Sequence, residues 1–172
     1  LTSEAAARAR AGLVSLYADE QTYPAAAAQL RSVMVKPLSQ IDLGMVAAGK
    51  SNAPDAVIVG PGWGTGPDRT KILASILDSD ASGVLDADAI NILAAADSLP
   101  RLGGRWVLTP HPGELARLTA GSSAEVLADP YSVTMDLSER MQAVIVLKSH
   151  VTFVAEPAGR VTVVDGMNAA LG

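Results

Sequence analysis

Short apolar segments that alternate with helical stretches constrain this fold most. Four of them are centred on the runs AVIVG, GVLD, WVLT and AVIVLK, and they lie at Ala56–Gly60, Gly83–Asp86, Arg105–Thr109 and Ala143–Lys148. Strands that are apolar without polar alternation belong to parallel sheets whose faces are covered by helices. The sequence therefore predicts an α/β fold with a mostly parallel central sheet.

The remaining segments complete this alternation. Further strands are predicted at Leu13–Ala18 and Ser32–Pro37, and a hairpin at Thr152–Glu156 and Arg160–Val164 around Pro157-Ala158-Gly159. Helices are predicted at Thr2–Ala11, Glu20–Leu30, Asp68–Leu77, Ala87–Leu93, Glu114–Leu118 and Pro130–Met141, with a weak helix or loop at Ser39–Ala48. No repeat or linker interrupts residues 1–172, whose length is typical of a single domain.

Composition excludes several functional classes. Hydrophobic residues make up 49% of the chain but aromatic residues only 3%, so the core must be aliphatic. The net charge of −5 without a basic run argues against a nucleic-acid partner. The chain has no cysteine, which excludes thiolate chemistry and fits a cytoplasmic protein. No apolar stretch approaches membrane-spanning length and no signal peptide is visible, so no membrane partner is expected.

Four predicted strands end in residues that packing does not require. PGWGTG (Pro61–Gly66) follows the first, Asp86 ends the second, PHPGE follows the third after Thr109, and Lys148 ends the fourth. Ligands of parallel sheets bind outside the carboxyl ends of the strands. Glycines allow close backbone approach there, and a lysine can bind phosphate as a point charge. Together these ends predict a phosphate-handling cleft, with Asp88 most simply the N-cap of the helix that follows Asp86.

The segment RWVLTPHPGELARL predicts a strand, a rigid turn and a helix that begins near Pro112. Free N–H groups at the start of that helix would form an anion site, and Glu114 beside it invites a divalent cation. A structural interpretation is equally open at this point. Glu114 would then complement the helix dipole, and His111 would cap the helix or lie on the surface.

GPGWG, LDADAIN, TPHPGE, VLKSHVT and GMNAALG, in this order and spacing, resemble the ribokinase-like NAD(P)H-hydrate dehydratases. The usual forms in that family are GPGLG, DADAL, TPHPGE, LKGAGT and GNPALAT, and the resemblance covers nearly the whole chain. It implies a ribokinase-like layered α/β/α fold and a metabolite-repair lyase that acts on the S epimer of hydrated NADH or NADPH. ADP or ATP would phosphorylate the ring hydroxyl with Mg²⁺ present, and loss of phosphate would restore NAD(P)H. A homo-oligomer is expected.

The resemblance also implies roles for individual residues. The hydrated nicotinamide would be bound by Gly62, Gly64 and His111, and Glu114 would be the metal ligand. The nucleotide would be bound by Lys148, Ser149, His150, Val151, Thr152 and Asn168. Ser149-His150 replaces the usual Gly-Ala pair, which is expected to narrow the nucleotide site. The choice between ADP and ATP stays open.

Residues 1–172 depart from the family pattern in one element of the chemistry. They contain no GxGD sequence, whose helix N-terminus stabilises the anion and whose aspartate is thought to act as base. The family's first strand and Gly-rich turn are also absent, so the sequence is expected to be an interior part of the domain. Its turnover is expected to be weak, its catalytic base is unassigned, and one edge of its sheet is expected to be unpaired. Asp165 is poorly placed to replace the base, and Glu114 is the first alternative to test.

Two other functions stay open. A vitamin kinase of the same superfamily would carry TPN-x-x-E where this chain has TPHPGE, so His111 separates the two. An inactive nucleotide-binding fragment is the second alternative, and the absent GxGD element is its support.

Overall fold

The computed structural model describes residues 2–46 and 53–165. Contacts divide the chain into two compact units, Leu1–Gly44 and Met45–Gly172, and each is described by itself. The expectation of a single domain over residues 1–172 stays a prediction. Among the described residues, no helix combines the length and apolarity needed to cross a bilayer.

The first unit contains a two-stranded parallel sheet. Its elements are α1 (Thr2–Arg8), β1 (Ser15–Ala18), α2 (Tyr23–Gln29), β2 (Met34–Pro37) and a 3₁₀ turn at Leu38–Gln40. Ser15 lies opposite Met34, and Ala18 lies opposite Pro37. Both strands confirm the predicted segments, although α1 ends earlier than predicted because Arg10 has a left-handed backbone (φ 66°). A short helix α3 (Leu43–Val46) follows, in the region predicted as weak helix or loop.

The second unit contains a six-stranded sheet whose strands are neighbours in chain order. The strands are β3 (Val57–Val59), β4 (Gly83–Leu85), β5 (Trp106–Leu108), β6 (Val144–Leu147), β7 (Val151–Ala155) and β8 (Val161–Asp165). β3 to β6 are parallel, whereas β7 and β8 form the predicted antiparallel hairpin. The helices are α4 (Pro67–Leu77), α5 (Asp88–Ala94), α6 (Pro112–Thr119), α7 (Ser123–Ala128) and α8 (Pro130–Met141). This order confirms the α/β architecture with a mostly parallel sheet.

One face of the parallel strands forms an aliphatic core. Val59, Leu85, Leu108 and Ile145 are register partners across β3 to β6, and all four are buried. The opposite face carries Ile58, Val84, Val107 and Val144, which keep partial exposure, with Ile58 at 47%. Helices add Leu73, Ile90, Leu115 and Leu137 to the core.

The helix ends explain why the chain turns where it does. α8 has the predicted bounds because Asp129 accepts a hydrogen bond from Ser132 N and Pro130 occupies the first turn. α7 was not predicted, although Ser122 and Glu125 form a complete capping box at its start. Ala120 caps the end of α6 and Gln142 caps the end of α8, and both capping residues have a left-handed backbone conformation.

Candidate functional site

The carboxyl ends of β4, β5 and β6 bring three polar side chains together. Asp86, Thr109 and Lys148 each follow directly after one of these strands. Lys148 Nζ lies 2.8 Å from Asp86 Oδ1, and the Thr109 side chain helps to lower the pKa of the Asp86 carboxyl group. The main-chain hydrogen bonding between β5 and β6 continues into this cluster, since Lys148 N donates to Pro110 O at 2.8 Å. The prediction that these three residues lie near one edge of the sheet is confirmed.

The electrostatics of the cluster are dominated by the ion pair. Burial raises the pKa of Asp86, but the hydrogen bonds from Lys148 and Thr109, the charge of Lys148 and the Ala87 N–H outweigh it and hold that pKa below its ordinary value. Asp86 is therefore a carboxylate at neutral pH. The side chain of Lys148 is 44% exposed and that of Asp86 27% exposed. An anion from solvent can thus reach the ammonium group and compete with Asp86 for it.

The residue after Asp86 adopts an unusual backbone conformation. Ala87 has φ 47° and ψ −114°, which side-chain-bearing residues rarely adopt. The structure corrects one prediction here, because Ala87 rather than Asp88 is the N-cap of α5. Asp88 is instead the first helical residue, and its Oδ2 accepts a hydrogen bond from Gly64 N at 2.7 Å. Two neighbouring carboxylates therefore serve different partners, one bonding Lys148 and the other the glycine loop (Gly60–Gly66).

Glycines of this loop are required for two different reasons. A Cβ on Gly60 would lie 1.8 Å from Asp86 O, so the two loop backbones meet only because that side chain is absent. Apart from their chain neighbours, Gly62 (φ 66°) and Gly64 (φ 79°) have no atom within 4 Å of where a Cβ would lie, so glycine is needed at these positions for the backbone conformation. The open space beside Gly62 and Gly64 is consistent with close approach of a ligand to the main chain.

His111 and Glu114 form a capping box at the start of α6. His111 Nδ1 accepts hydrogen bonds from Gly113 N (3.0 Å) and Glu114 N (3.4 Å), and Glu114 Oε2 accepts one from His111 N (2.8 Å). The structural interpretation of both residues is therefore confirmed. Because Nδ1 accepts, the neutral ring carries its proton on Nε2, which lies 3.6 Å from Glu114 Oε1. Substrate contact by His111 stays a prediction.

Metal binding by Glu114 also stays a prediction. Its side chain is buried, and it would have to give up the hydrogen bond from His111 N to bind a cation. Within residues 2–46 and 53–165, no group of three or more histidine, aspartate or glutamate side chains is placed to hold an ion. The described residues therefore do not supply a complete metal site by themselves.

The predicted nucleotide segment begins in the turn between β6 and β7. Ser149 Oγ lies 3.2 Å from His150 Nδ1, and Val151 and Thr152 are the first residues of β7. The structure brings Lys148 to the Asp86 cluster, whereas the hydrogen bonds of His111 and Glu114 stay within their own turn. Asn168 lies outside the described residues. Nucleotide contacts by Lys148–Thr152 stay predictions.

Trp63, in the glycine loop, was not predicted as a site residue from the sequence. Trp63 N donates to Gly60 O at 3.0 Å, and Trp63 O accepts from Arg69 Nε at 3.1 Å. The guanidinium carbon of Arg69 lies 5.9 Å from the centroid of the Trp63 ring. A tryptophan between two glycines, in a chain with only 3% aromatic residues, was the available signal.

Comparison with known proteins places this geometry in a family. A model of the NAD(P)H-hydrate dehydratase family matches residues 1–172. The chain is 34% identical over 161 residues to a bifunctional NAD(P)H-hydrate repair enzyme of Coxiella burnetii, covering 91% of this chain and 31% of that protein. It is 41% identical over 122 residues to an ADP-dependent (S)-NAD(P)H-hydrate dehydratase of Neisseria meningitidis, covering 68% of this chain and 41% of the relative.

Solved structures agree with these relatives. An ADP/ATP-dependent NAD(P)H-hydrate dehydratase from Bacillus subtilis, co-crystallised with ATP and Mg²⁺, has a TM-score of 0.76 at 26% identity and covers 93% of this chain and 56% of that one. A ribokinase-like protein of Enterococcus faecalis shares the fold, with a TM-score of 0.78 at 24% identity over 97% of this chain and 57% of its own. The chain spans about a third to two fifths of the length of the two relatives named above. This chain belongs to the NAD(P)H-hydrate dehydratase family and has its ribokinase-like fold.

Proposed function

We propose that this chain binds ADP or ATP at the Lys148 edge of the sheet and takes part in the dehydration of hydrated NADH or NADPH. The observation that carries the proposal is the Asp86–Thr109–Lys148 cluster at the carboxyl ends of three neighbouring parallel strands. Parallel α/β sheets bind ligands at such an edge. The relatives named above are nicotinamide-hydrate repair enzymes, which supports the same substrate class.

In this proposal the two ligands use different segments. Lys148 attracts the nucleotide phosphates by charge, and Ser149, His150, Val151 and Thr152 supply hydroxyl, ring and main-chain contacts around them. Hydrated nicotinamide lies beside the open backbone at Gly62 and Gly64, with the Nε2–H of His111 as a hydrogen-bond donor to it. Asn168, outside the described residues, completes the proposed nucleotide set.

The chemistry would be activation of the ring hydroxyl as a phosphate ester, followed by loss of phosphate and restoration of the reduced nicotinamide. The chain's own contribution is positioning: Lys148 holds the phosphates, and the glycine loop holds the ring. When bound, Mg²⁺ would neutralise phosphate charge, and such an ion commonly needs only one or two protein carboxylates besides the phosphates. Glu114 is the proposed carboxylate.

The location of the protein and its oligomeric state also belong to the proposal. The protein is proposed to act in the cytoplasm, which fits a chain of 172 residues without cysteine. A homo-oligomer is proposed because β8 presents exposed valines at the edge of its sheet.

The test is calorimetric titration of the full chain with ADP, ATP and the S epimer of hydrated NADPH. We expect saturable binding of a nucleotide and of the hydrated dinucleotide, each in the presence of the other. Recovery of NADPH is followed in parallel by its near-ultraviolet absorbance, and it is expected to be slow because residues 1–172 contain no GxGD sequence. A chain that folds but binds neither ligand would contradict the proposal, and transfer of phosphate to a vitamin alcohol would favour the kinase alternative.

A further inference from the structure

Trp63 is the one aromatic side chain in the glycine loop, and its main chain is fixed from three sides. Its N–H donates to Gly60 O at 3.0 Å, and its carbonyl oxygen accepts from Arg69 Nε at 3.1 Å. The next residue, Gly64, donates to Asp88 Oδ2 at 2.7 Å. The tryptophan therefore has a preset position before any ligand arrives, which lowers the entropic cost of binding.

The indole ring is partly exposed and carries a cation near one face. The guanidinium group of Arg69 lies 5.9 Å from the ring centroid, a distance at which cation–π attraction orients the ring. Apart from their own chain neighbours, Gly62 and Gly64 have no atom within 4 Å of where a Cβ would lie. A flat aromatic surface thus stands beside an open stretch of backbone at the carboxyl end of β3.

We propose that the indole of Trp63 forms a stacking surface for the nicotinamide-derived ring of the dinucleotide substrate. This inference rests on the proposed function and adds a specificity-determining residue to the same site. The ring of hydrated NADPH keeps a planar segment in which the ring nitrogen, a carbon–carbon double bond and the carboxamide are conjugated. Such a segment stacks on indole, and the cation of Arg69 fixes the orientation of the indole.

The substrate, and not the nucleotide, is the expected partner of Trp63. Lys148, the charge that would attract nucleotide phosphates, is paired with Asp86, whereas the glycine loop is tied to Asp88. Both carboxylates lie in the turn after β4, but Asp86 pairs with Lys148 and Asp88 accepts the hydrogen bond from the glycine loop. A ring beside Gly62 and Gly64 would therefore meet Trp63, while the phosphates meet Lys148.

Trp63→Leu tests the inference, because leucine stands at this position in the usual GPGLG form and is compatible with the loop. By titration with hydrated NADPH, we expect the dissociation constant to rise about tenfold, the loss typical of one stacked ring. The dissociation constant of ADP should stay unchanged. Trp63→Phe should restore most of the affinity, and Tyr131→Leu, which removes an exposed aromatic side chain from α8, is the matched control and should have no effect.

Fluorescence gives an independent readout. The chain has two tryptophans, and Trp106 is only 1% exposed, so contact quenching reports on Trp63. Hydrated NADPH lacks the long-wavelength absorbance band of NADPH, which overlaps indole emission and would take energy from a distant indole. We expect it to quench the full chain and to leave the emission of Trp63→Leu unchanged.

Several results would overturn the inference. An unchanged affinity for hydrated NADPH in a folded Trp63→Leu variant would show that the indole does not contact the ring, while the proposed function would stand. A loss of ADP affinity instead would assign the indole to adenine. If the affinity for hydrated NADPH falls only in variants whose melting temperature also falls, the indole has a structural role only. Failure of the unmodified chain to bind either ligand would overturn both proposals.

Discussion

At the scale of single residues, Asp86 shows how one position joins three parts of the fold. Its carboxylate pairs with Lys148 and has its pKa lowered by the Thr109 side chain, and its carbonyl oxygen occupies the space where a Cβ of Gly60 would lie. Sequence reasoning singled out Asp86 because packing did not explain it. Its partner, 62 residues later, could only be guessed from a shared sheet edge, since the pairing depends on strand order and register.

Replacement of Asp86 by asparagine separates charge from shape. At pH 7, Asp86→Asn should lower the free energy of unfolding by up to about 1 kcal/mol, because a partly exposed ion pair contributes little more. Since the folded-state pKa of Asp86 lies below its ordinary value of 3.8, this stabilisation is present above pH 3.8 and is lost as the pH falls through the folded-state pKa. Urea unfolding between pH 7 and pH 3 should therefore show the two curves converging at the acid end. The exposed Asp97→Asn serves as control, and a gap that widens on acidification would contradict the assignment.

His111 allows capping and ligand binding to be distinguished. His111→Ala removes the acceptor for Gly113 N and Glu114 N and should lower the free energy of unfolding by about 1 kcal/mol. His111→Asn keeps an N-cap acceptor and should leave stability within a few tenths of a kcal/mol. Both variants lose the Nε2–H donor, so both should bind hydrated NADPH more weakly in calorimetry. An asparagine variant that binds it like the unmodified chain would show that His111 only caps α6.

At the scale of elements, local signals predicted most segments, and the two errors at α7 and α5 have different causes. α8 was predicted with its bounds, since Asp129, Pro130 and a fixed period define it within the sequence. α7 was missed although its Ser122–Glu125 capping box was visible in the sequence. The start of α5 was misassigned because Asp88 is held by Gly64, a partner 24 residues earlier that no local rule identifies.

Alanine substitutions at two glycines of the loop are predicted to lower the free energy of unfolding by different amounts. Gly60→Ala would place a Cβ 1.8 Å from Asp86 O and 2.8 Å from Ala89 N, and we expect a loss of about 3 kcal/mol or more in unfolding free energy. Gly62→Ala meets no atom but must adopt φ 66°, which costs about 1 kcal/mol. Chemical denaturation measures both. Equal losses, or a larger loss at Gly62, would mean that the close approach of Gly60 to Asp86 does not constrain the loop.

At the scale of the whole molecule, the fold class followed from the apolar strands and the motif order, and the family comparisons confirm it. The division into two units and the partial exposure of one face of the sheet could not be predicted from the sequence. The strands β3 to β6 carry apolar residues on both faces, so the sequence alone does not show whether Ile58 or Val59 is buried, although the first is 47% exposed and the second is buried. Burial of a sheet face is decided by which elements pack on it.

Self-association is predicted to involve β8. Val163 and Val164 are 52% and 48% exposed, and within the described residues β8 pairs with β7 alone. A strand edge of this kind associates readily, and lysine is a common protection against it. Val163→Lys should shift sedimentation-velocity profiles towards the monomer, whereas Leu127→Lys on the exposed side of α7 should not. An unchanged distribution for Val163→Lys would exclude β8 as the associating surface.

The most direct test of the central claim compares two ligands on one variant, Lys148→Met. If nucleotide phosphates bind beside Lys148, loss of its charge should weaken ADP binding at least about tenfold, the loss of one charge-assisted contact, and leave the affinity for hydrated NADPH within about twofold. Lys148→Arg, which keeps the charge beside Asp86, should retain most of the ADP affinity. Isothermal titration of ADP and hydrated NADPH into all three proteins gives the answer. Equal losses for the two ligands, or none for ADP, would contradict the claim that the nucleotide binds at this edge of the sheet.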